Sequence, residues 1–324
     1  MARRAGKRVR VGLIGSGKHG SRYARHLLAD CPGLELAAIS RRSPSGAEQA
    51  RQWQCGYYPN WQELVADPRI DAVIAVVPPT LNLAIARACA GLRKPLLVEK
   101  PLAGSLADAQ EIVALSNRNL VLTVGQTLRY NSVIQALQEE LWRIGRLYSF
   151  SANQRLEPTS LAWHEDPAMA GAGVSFHTAV HVFDALRTIT GLEVVRVSAL
   201  SRNHGEALLE NLLAVLVEME YGVVGTVDCS KVGAARSGLF EFVGEQAQLR
   251  GEQIYNSCEL IQGQEITDLS PPQAVSTIVP LLRDWEAFLC HGGNNPVPGP
   301  EGLAAVRICT ACLRSAREGA WVTL

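Results

Sequence analysis

The stretch Val11-Gly12-Leu13-Ile14-Gly15-Ser16-Gly17-Lys18-His19-Gly20 decides the fold. A short apolar run ends in Gly-x-Gly-x-x-Gly, and a helix-like pattern follows over 18–29. Gly15 permits the tight turn from strand to helix, Gly17 lets the backbone approach a pyrophosphate, and Gly20 allows the helix to pack closely on the strand. The N–H groups and dipole at the helix start favour an anion, so Ser16, Lys18 and His19 are expected beside the phosphates. Alone, such a triplet is a weak signal. Its position strengthens it: it follows a β-like run near the start of the chain, and strand and helix patterns alternate from there to residue 124.

The alternation reads as strands Val9–Ile14, Leu34–Ser40, Asp71–Val77, Pro95–Val98 and Val121–Val124, with helices Lys18–Ala29, Ser45–Gln54, Trp61–Ala66, Leu81–Ala90 and Leu106–Ser116. Strands separated by helices pair in parallel through right-handed crossovers, so residues 1–124 are expected to form a doubly wound α/β Rossmann domain that binds a dinucleotide. The rhythm then changes. A helix over Ser132–Trp142 leads into a strand, Leu147–Asn153, and a loop runs to a second helix, Val174–Ile189. Long β patterns follow at Val194–Ser201, Asn211–Glu220, Val223–Cys229, Leu239–Gly244 and Gln253–Ile261, with a hairpin marked by Tyr221-Gly222. Helices Leu281–His291 and Glu301–Arg317 and a last strand, Trp321–Leu324, close the chain. Residues 125–324 are thus expected to form an α+β domain with a large, mostly antiparallel open sheet. Its uncovered face predicts self-association.

Composition narrows the partners. Lys+Arg and Asp+Glu number 31 each, so no net field draws the chain to nucleic acid or an anionic membrane. No run of about 18 apolar residues predicts a membrane span. The basic segment Met1–Arg10 lacks the apolar stretch of a signal peptide and reads as a tail. The eight cysteines are scattered without a disulfide framework, which suits a reducing cytoplasm. Cys309 and Cys312 have metal-ligand spacing but no second pair, and read as structural.

Coenzyme choice is read at the end of the second strand. In NAD-binding folds of this kind an acidic residue there bonds the ribose 2′-hydroxyl. Here the strand ends in Ser40-Arg41-Arg42-Ser43, with no carboxylate. A hydroxyl and two guanidinium forks suit a 2′-phosphate, which predicts NADP(H), with NAD(H) as the alternative if the arginines are only solvated loop charges.

Two further segments carry a family resemblance: Glu99-Lys100-Pro101 at the end of the Pro95–Val98 strand, and Gly171-Ala172-Gly173 followed by His181-x-x-Asp184. With the glycine triplet, and with Gly125-Gln126, Arg129-Tyr130-Asn131 and Ile144-Gly145-Arg146, the chain resembles the glucose–fructose oxidoreductase / inositol dehydrogenase (Gfo/Idh/MocA) family over nearly its whole length. The resemblance implies hydride exchange between NAD(P) and a carbinol or carbonyl carbon of a sugar-like, inositol-like or related cyclic small molecule. It implies His181 as acid/base and Lys100 as the group stabilising the reacting oxygen, since imidazole titrates near neutral pH and an ammonium supports a developing alkoxide. Pro78 and Glu99 are expected near the cofactor. Asp184 is expected either to orient His181 or to pair locally.

His177 departs from the family's polyol enzymes, which usually carry Asp four residues before the catalytic histidine. A histidine cannot copy both lone-pair sets of a carboxylate, so substrate contacts are expected to differ. Ala172 replaces a glycine, and Asn82 stands where the family often has His. Arg129, Arg155 and His164, with His177, suggest a cationic pocket for a carboxylated or phosphorylated substrate; alternatively the arginines pair with surface acids. His177, His181 and Asp184 also have the spacing of a metal half-site, but no accompanying Glu completes a metalloprotease-type motif, and no metal is expected. Two other functions are open to such a chain: a non-catalytic NAD(P)-binding regulator or scaffold, and a glycosidase that uses nicotinamide transiently.

Overall fold

Valine, isoleucine and leucine fill the first strands because these side chains suit a sheet covered on both faces. The computed structural model describes residues 8–158 and 161–324. The expected tail Met1–Arg10 therefore lies mostly outside the described residues. In chain order the first elements are β1 (Val9–Ile14), α1 (Gly20–Ala29), β2 (Leu34–Ser40), α2 (Ser45–Gln52), β3 (Gly56–Tyr58), α3 (Trp61–Ala66), β4 (Ala72–Ala75), α4 (Asn82–Gly91), β5 (Leu96–Glu99), α5 (Leu106–Ser116) and β6 (Leu122–Gly125). They form a six-stranded parallel sheet in the order β3-β2-β1-β4-β5-β6. β4, β5 and β6 are buried throughout. β1 lies between β2 and β4, so the winding direction reverses there, and the carboxyl ends beside that switch point are where such sheets take ligands. The short β3 is an addition to the sequence reading.

The next elements are α6 (Ser132–Glu140), β7 (Leu147–Arg155), α7 (Pro167–Ala170), α8 (Val180–Thr190), β8 (Val194–Arg202), β9 (Leu212–Met219), β10 (Val224–Ser230), β11 (Leu239–Gly244), β12 (Gln248–Glu252), β13 (Ser257–Gln262) and β14 (Glu265–Asp268). With β15 (Val322–Thr323) they build a nine-stranded sheet, β14-β13-β12-β11-β7-β10-β9-β8-β15. Every pairing is antiparallel except β7 with β10. Tyr221 and Gly222 both take positive φ, 59° and 75°, the conformation a tight hairpin between twisted strands needs. Alternate residues such as Val215, Val217, Val227, Phe240, Phe242 and Leu249 are buried under the helices.

Two differences from the sequence reading have physical causes. The pattern Gln253–Ile261 is not one strand. Glu252 Oε2 accepts hydrogen bonds from the backbone N–H groups of Ile254 and Tyr255, and Asn256 turns with φ 60°, so a hairpin interrupts it. The helix Val174–Ile189 contains a π turn over Ser175–Ala179 before α8. The first unit also takes in a later stretch of the chain. By contacts the first unit is Met1–Ala103, Ala107–Thr127 and Thr277–Leu303, and the second is Gly104–Leu106, Leu128–Ser276 and Ala304–Leu324. Helix α9 (Ile278–His291) packs on α1, Glu286 accepts from the Gly33 N–H at 2.7 Å, and Val124 N–H bonds Val297 O at 2.9 Å. Helix α10 (Gly299–Glu318) starts in the first unit and ends in the second. Among the described residues no helix is long and apolar enough to cross a membrane.

Candidate active site

The glycine turn is built as its spacing requires. Gly15 has φ 88°, and a Cβ there would lie 2.1 Å from the Val76 carbonyl oxygen; a Cβ on Gly20 would lie 1.8 Å from the Gly15 oxygen. Above Gly17 there is open space. Gly15 and Gly20 are thus demanded by close backbone packing, and Gly17 leaves a cradle that a side chain would obstruct, which fits a pyrophosphate. Pro78 lies two residues past Val76, at the end of the same loop.

Gln49, which the sequence reading missed, ties this turn to the coenzyme-selecting segment. Its Nε2 donates to Ser16 O (3.1 Å) and to Ser21 Oγ (3.0 Å), while its Oε1 accepts from Ser16 Oγ (2.6 Å) and Arg41 (3.3 Å). Arg41 also donates to Ser16 O at 3.2 Å. Ser16 and Ser40 are buried, Arg41 is half-buried, and Arg42 and Lys18 are exposed. Arg41 is therefore anchored against the glycine turn and is not a freely solvated loop charge.

Glu99 is buried at the end of β5. Its Oε1 accepts from Tyr23 Oη at 2.5 Å and meets His19 Nε2 at 2.8 Å; its Oε2 accepts from the Lys100 N–H at 3.0 Å. Burial pushes the carboxyl up, but the hydrogen bond and charge of His19, the Lys100 ammonium and the Tyr23 hydroxyl outweigh it and hold Glu99 below the usual carboxylate range. Glu99 thus fastens the turn and α1 to the strand that carries Lys100. Asn82 supports the far side of that lysine, donating from Nδ2 to Pro101 O and Leu102 O at 3.3 and 3.2 Å. Gln126, one residue past the Glu99–Gly125 register pair, is fully buried with no partner for either amide atom among the described residues. An orphaned amide at this edge is a group a ligand would satisfy.

The second unit carries the histidines. Gly171, with φ 77°, packs on Gly104, where a Cβ would lie 2.2 Å from the carbonyl oxygen. A Cβ on Gly173 would lie 2.0 Å from Glu210 O, whereas Ala172 is simply buried. This explains the two glycines and the tolerance for alanine between them. The π turn that follows presents His177, with His181 in the first turn of α8. Extra-residue turns of this kind recur at functional sites. The Ser175 carbonyl in that turn accepts from the buried Cys309 thiol at 3.2 Å, consistent with the structural reading of the Cys309/Cys312 pair. None of the eight cysteines forms a disulfide.

His164 and His177 stack with ring centroids 4.0 Å apart, and Trp163 packs edge-on against both. Both histidines line a cavity of about 450 Å³ with Gly173, Glu210, Asn211 and Lys231. The two arginines expected beside this pocket are each paired with an acid. Arg129 donates through Nε and Nη2 to both oxygens of the fully buried Asp184, at 2.8 and 2.6 Å, and Arg155 pairs with Asp228 at 2.6 Å. Their charge is neutralised by these acids, not by Glu157, Glu165 or Asp166; Glu157 pairs with Arg236. Asp184, expected either to orient His181 or to pair locally, accepts this bidentate bond from Arg129. Among the described residues no cluster of His, Cys, Asp and Glu is arranged to hold a metal.

Residues 9–126 match the model of an oxidoreductase family with an NAD-binding Rossmann fold, and residues 137–250 match the GFO/IDH/MocA C-terminal domain. The inositol 2-dehydrogenase of Acidothermus cellulolyticus is 30% identical over 326 residues, covering 96% of this chain and 93% of that protein. The chain belongs to the Gfo/Idh/MocA oxidoreductase family. Inositol 2-dehydrogenase 1 of Saccharopolyspora erythraea is 26% identical, with 96% and 95% covered. The family fold extends to solved structures. Levoglucosan dehydrogenase in complex with NADH and levoglucosan superposes with a TM-score of 0.89 at 21% identity, covering 98% of this chain and 99% of that one. Aldose-aldose oxidoreductase from Caulobacter crescentus gives 0.87 at 20%, with 98% and 100% covered.

Proposed function

We propose that the protein is an NADP(H)-dependent oxidoreductase acting at a carbinol or carbonyl carbon of a sugar-like, inositol-like or related cyclic polyol. One observation carries the reading: the carboxyl edge of the first sheet. There the glycine turn follows β1, Ser40-Arg41-Arg42 follows β2, and Lys100 follows β5. The turn's N–H groups would hold the pyrophosphate, with Ser16, Lys18 and His19 around it. Arg41 and Arg42 would hold the 2′-phosphate, Arg41 already fixed in direction by Ser16 and Gln49. Pro78 and Gln126 would border the nicotinamide half. When bound, the nicotinamide supplies or accepts the hydride.

The chain's own groups handle the proton and the oxygen. Lys100 donates a hydrogen bond to the reacting oxygen and stabilises charge that develops on it. His181 takes the hydroxyl proton on oxidation and returns it on reduction. His177 and His164 hold substrate hydroxyls, and Arg129 fixes the helix by its bond to Asp184 instead of meeting an anion. The relatives named as inositol 2-dehydrogenases support a cyclic polyol as substrate. The protein is proposed to work in the cytoplasm, as a homodimer or homotetramer.

Fluorescence titration of the nucleotide-stripped protein with NADPH and NADH tests the coenzyme assignment. NADPH should bind at least about tenfold more tightly, equivalent to about 1.4 kcal/mol. Equal or NADH-favoured binding would make Arg41 and Arg42 bystanders.

A further inference from the structure

The cavity beside His177 holds a carboxylate that the turnover scheme does not use. Glu210 is only 9% exposed, although it lies at the entrance to β9. Its backbone oxygen accepts from Val174 N–H at 2.8 Å. Its Oε1 accepts from the Ser175 N–H at 3.1 Å and from Ser175 Oγ. Oε2 has no donor among the described residues, yet it is not among the fully occluded, unpartnered polar atoms. The open side of Glu210 is the cavity it lines with His164, His177 and Lys231. One carboxylate oxygen is thus clamped by the π turn, and the other takes no donor from the described residues while Glu210 borders the cavity.

We propose that Glu210 is a specificity-determining residue that accepts a hydrogen bond from a hydroxyl of a neutral polyhydroxy substrate; this rests on the polyol reading above. A buried carboxylate needs donors for both oxygens, and hydroxyl–carboxylate bonds are short and strong. Ser175 supplies the donors for one oxygen only. A substrate hydroxyl supplies the other, whereas a substrate carboxylate or phosphate would be repelled. The remaining charges agree. Glu165 and Glu206 also line the cavity against one lysine, and Arg129 and Arg155 are engaged by Asp184 and Asp228. On the turn itself the cavity is lined by Gly173, Val174 and His177, none of which can supply a carboxylate. Glu210 brings one across from a different part of the chain. Sites built around a buried acceptor discriminate strongly against ligands that cannot donate to it.

The test compares the purified full-length protein with its Glu210→Gln variant. Oxidation of myo-inositol, D-glucose and levoglucosan, with D-gluconate as the acidic probe, is followed at 340 nm with NADP⁺ and NAD⁺. Glutamine keeps the size and an oxygen for Ser175, but it offers the cavity an N–H₂ in place of an acceptor. The expected result is a KM for the accepted polyol raised at least about tenfold, with kcat within about threefold and NADPH affinity unchanged. The kcat/KM preference for the polyol over gluconate should also narrow, a change that a purely structural role for Glu210 would not cause. An unchanged KM and an unchanged polyol/gluconate ratio would overturn the role of Glu210 and leave the polyol reading standing. Failure of the unmodified protein to oxidise any neutral probe would overturn the polyol reading, and this inference with it. If Glu210→Gln fails to fold by thermal unfolding, Glu210→Asp takes its place. It keeps the charge but withdraws the oxygen by one methylene, and must still raise KM for the inference to stand.

Discussion

Lys100 owes its position to its neighbours: Glu99 holds its N–H, and Asn82 holds the two carbonyls that follow it. Replacing it with methionine removes the charge while leaving those backbone bonds intact. We expect kcat to fall by about 10²–10³, as when a donor to a developing oxyanion is lost, with NADPH binding changed by less than about threefold. Unchanged turnover would remove Lys100 from the mechanism. Glu99 carries a pH signature. Its folded pKa is depressed, so its contribution to stability is complete above the ordinary glutamate value of 4.5 and is lost as pH falls through the depressed value. Tyr23→Phe removes one of the hydrogen bonds responsible. The variant should unfold at lower temperature than the parent above pH 4.5, and the two curves should converge as the solution is made more acid. Parallel curves in a thermal-unfolding series would show that Tyr23 does not contribute to the shift.

At the scale of elements, the π turn is held from two sides. Gly173 lies against the Glu210 carbonyl, and Ser175 clamps the same residue's carboxylate. Gly173→Ala would force a methyl to within 2.0 Å of backbone oxygen, which cannot swing away as a side chain would. Overpacking of this kind costs about 1–3 kcal/mol, so the midpoint should fall by about 3–10 °C in calorimetry, whereas Ala172→Gly should change it by less than half as much. Equal effects at the two positions would discount the contact. These glycines were legible in the sequence as a motif, as were β1, β2, α3, α5 and β11 to the residue, because local period and turn chemistry decide them. The turn over Gln253–Asn256 was not. Ile254 and Tyr255 are good strand formers, and only the carboxylate of Glu252 capping their N–H groups reveals the break. Glu210 and Gln49 were equally silent, because their partners lie 35 and 33 residues away. The partners of Arg129 and Arg155 were silent for the same reason: composition counts a charge but not which acid neutralises it.

At the scale of the whole molecule, the nine-stranded sheet poses a problem of area. Leu200, Leu216, Val224 and Val243 point away from the helices and are 59, 53, 51 and 40% exposed. Between them the pairs Arg155–Asp228, Arg196–Glu218 and Arg250–Glu241 leave no excess of either charge. Such pairs add little stability alone, but their neutrality lets two copies of the face approach. Strands about 4.8 Å apart give the sheet a width of roughly 38 Å, and strands of about six residues a depth of roughly 20 Å, an area of about 750 Å². A stable interface buries about 800 Å² on each partner, so one such face is nearly sufficient. Light scattering after size-exclusion chromatography should therefore give a mass that is a multiple of 35.0 kDa. Leu216→Arg places a charge at the middle of the apolar strip, on a side chain already outside the core, and should yield a folded monomer. If the parent protein is itself monomeric at micromolar concentration, or if Leu216→Arg leaves the mass unchanged, association does not run through this face.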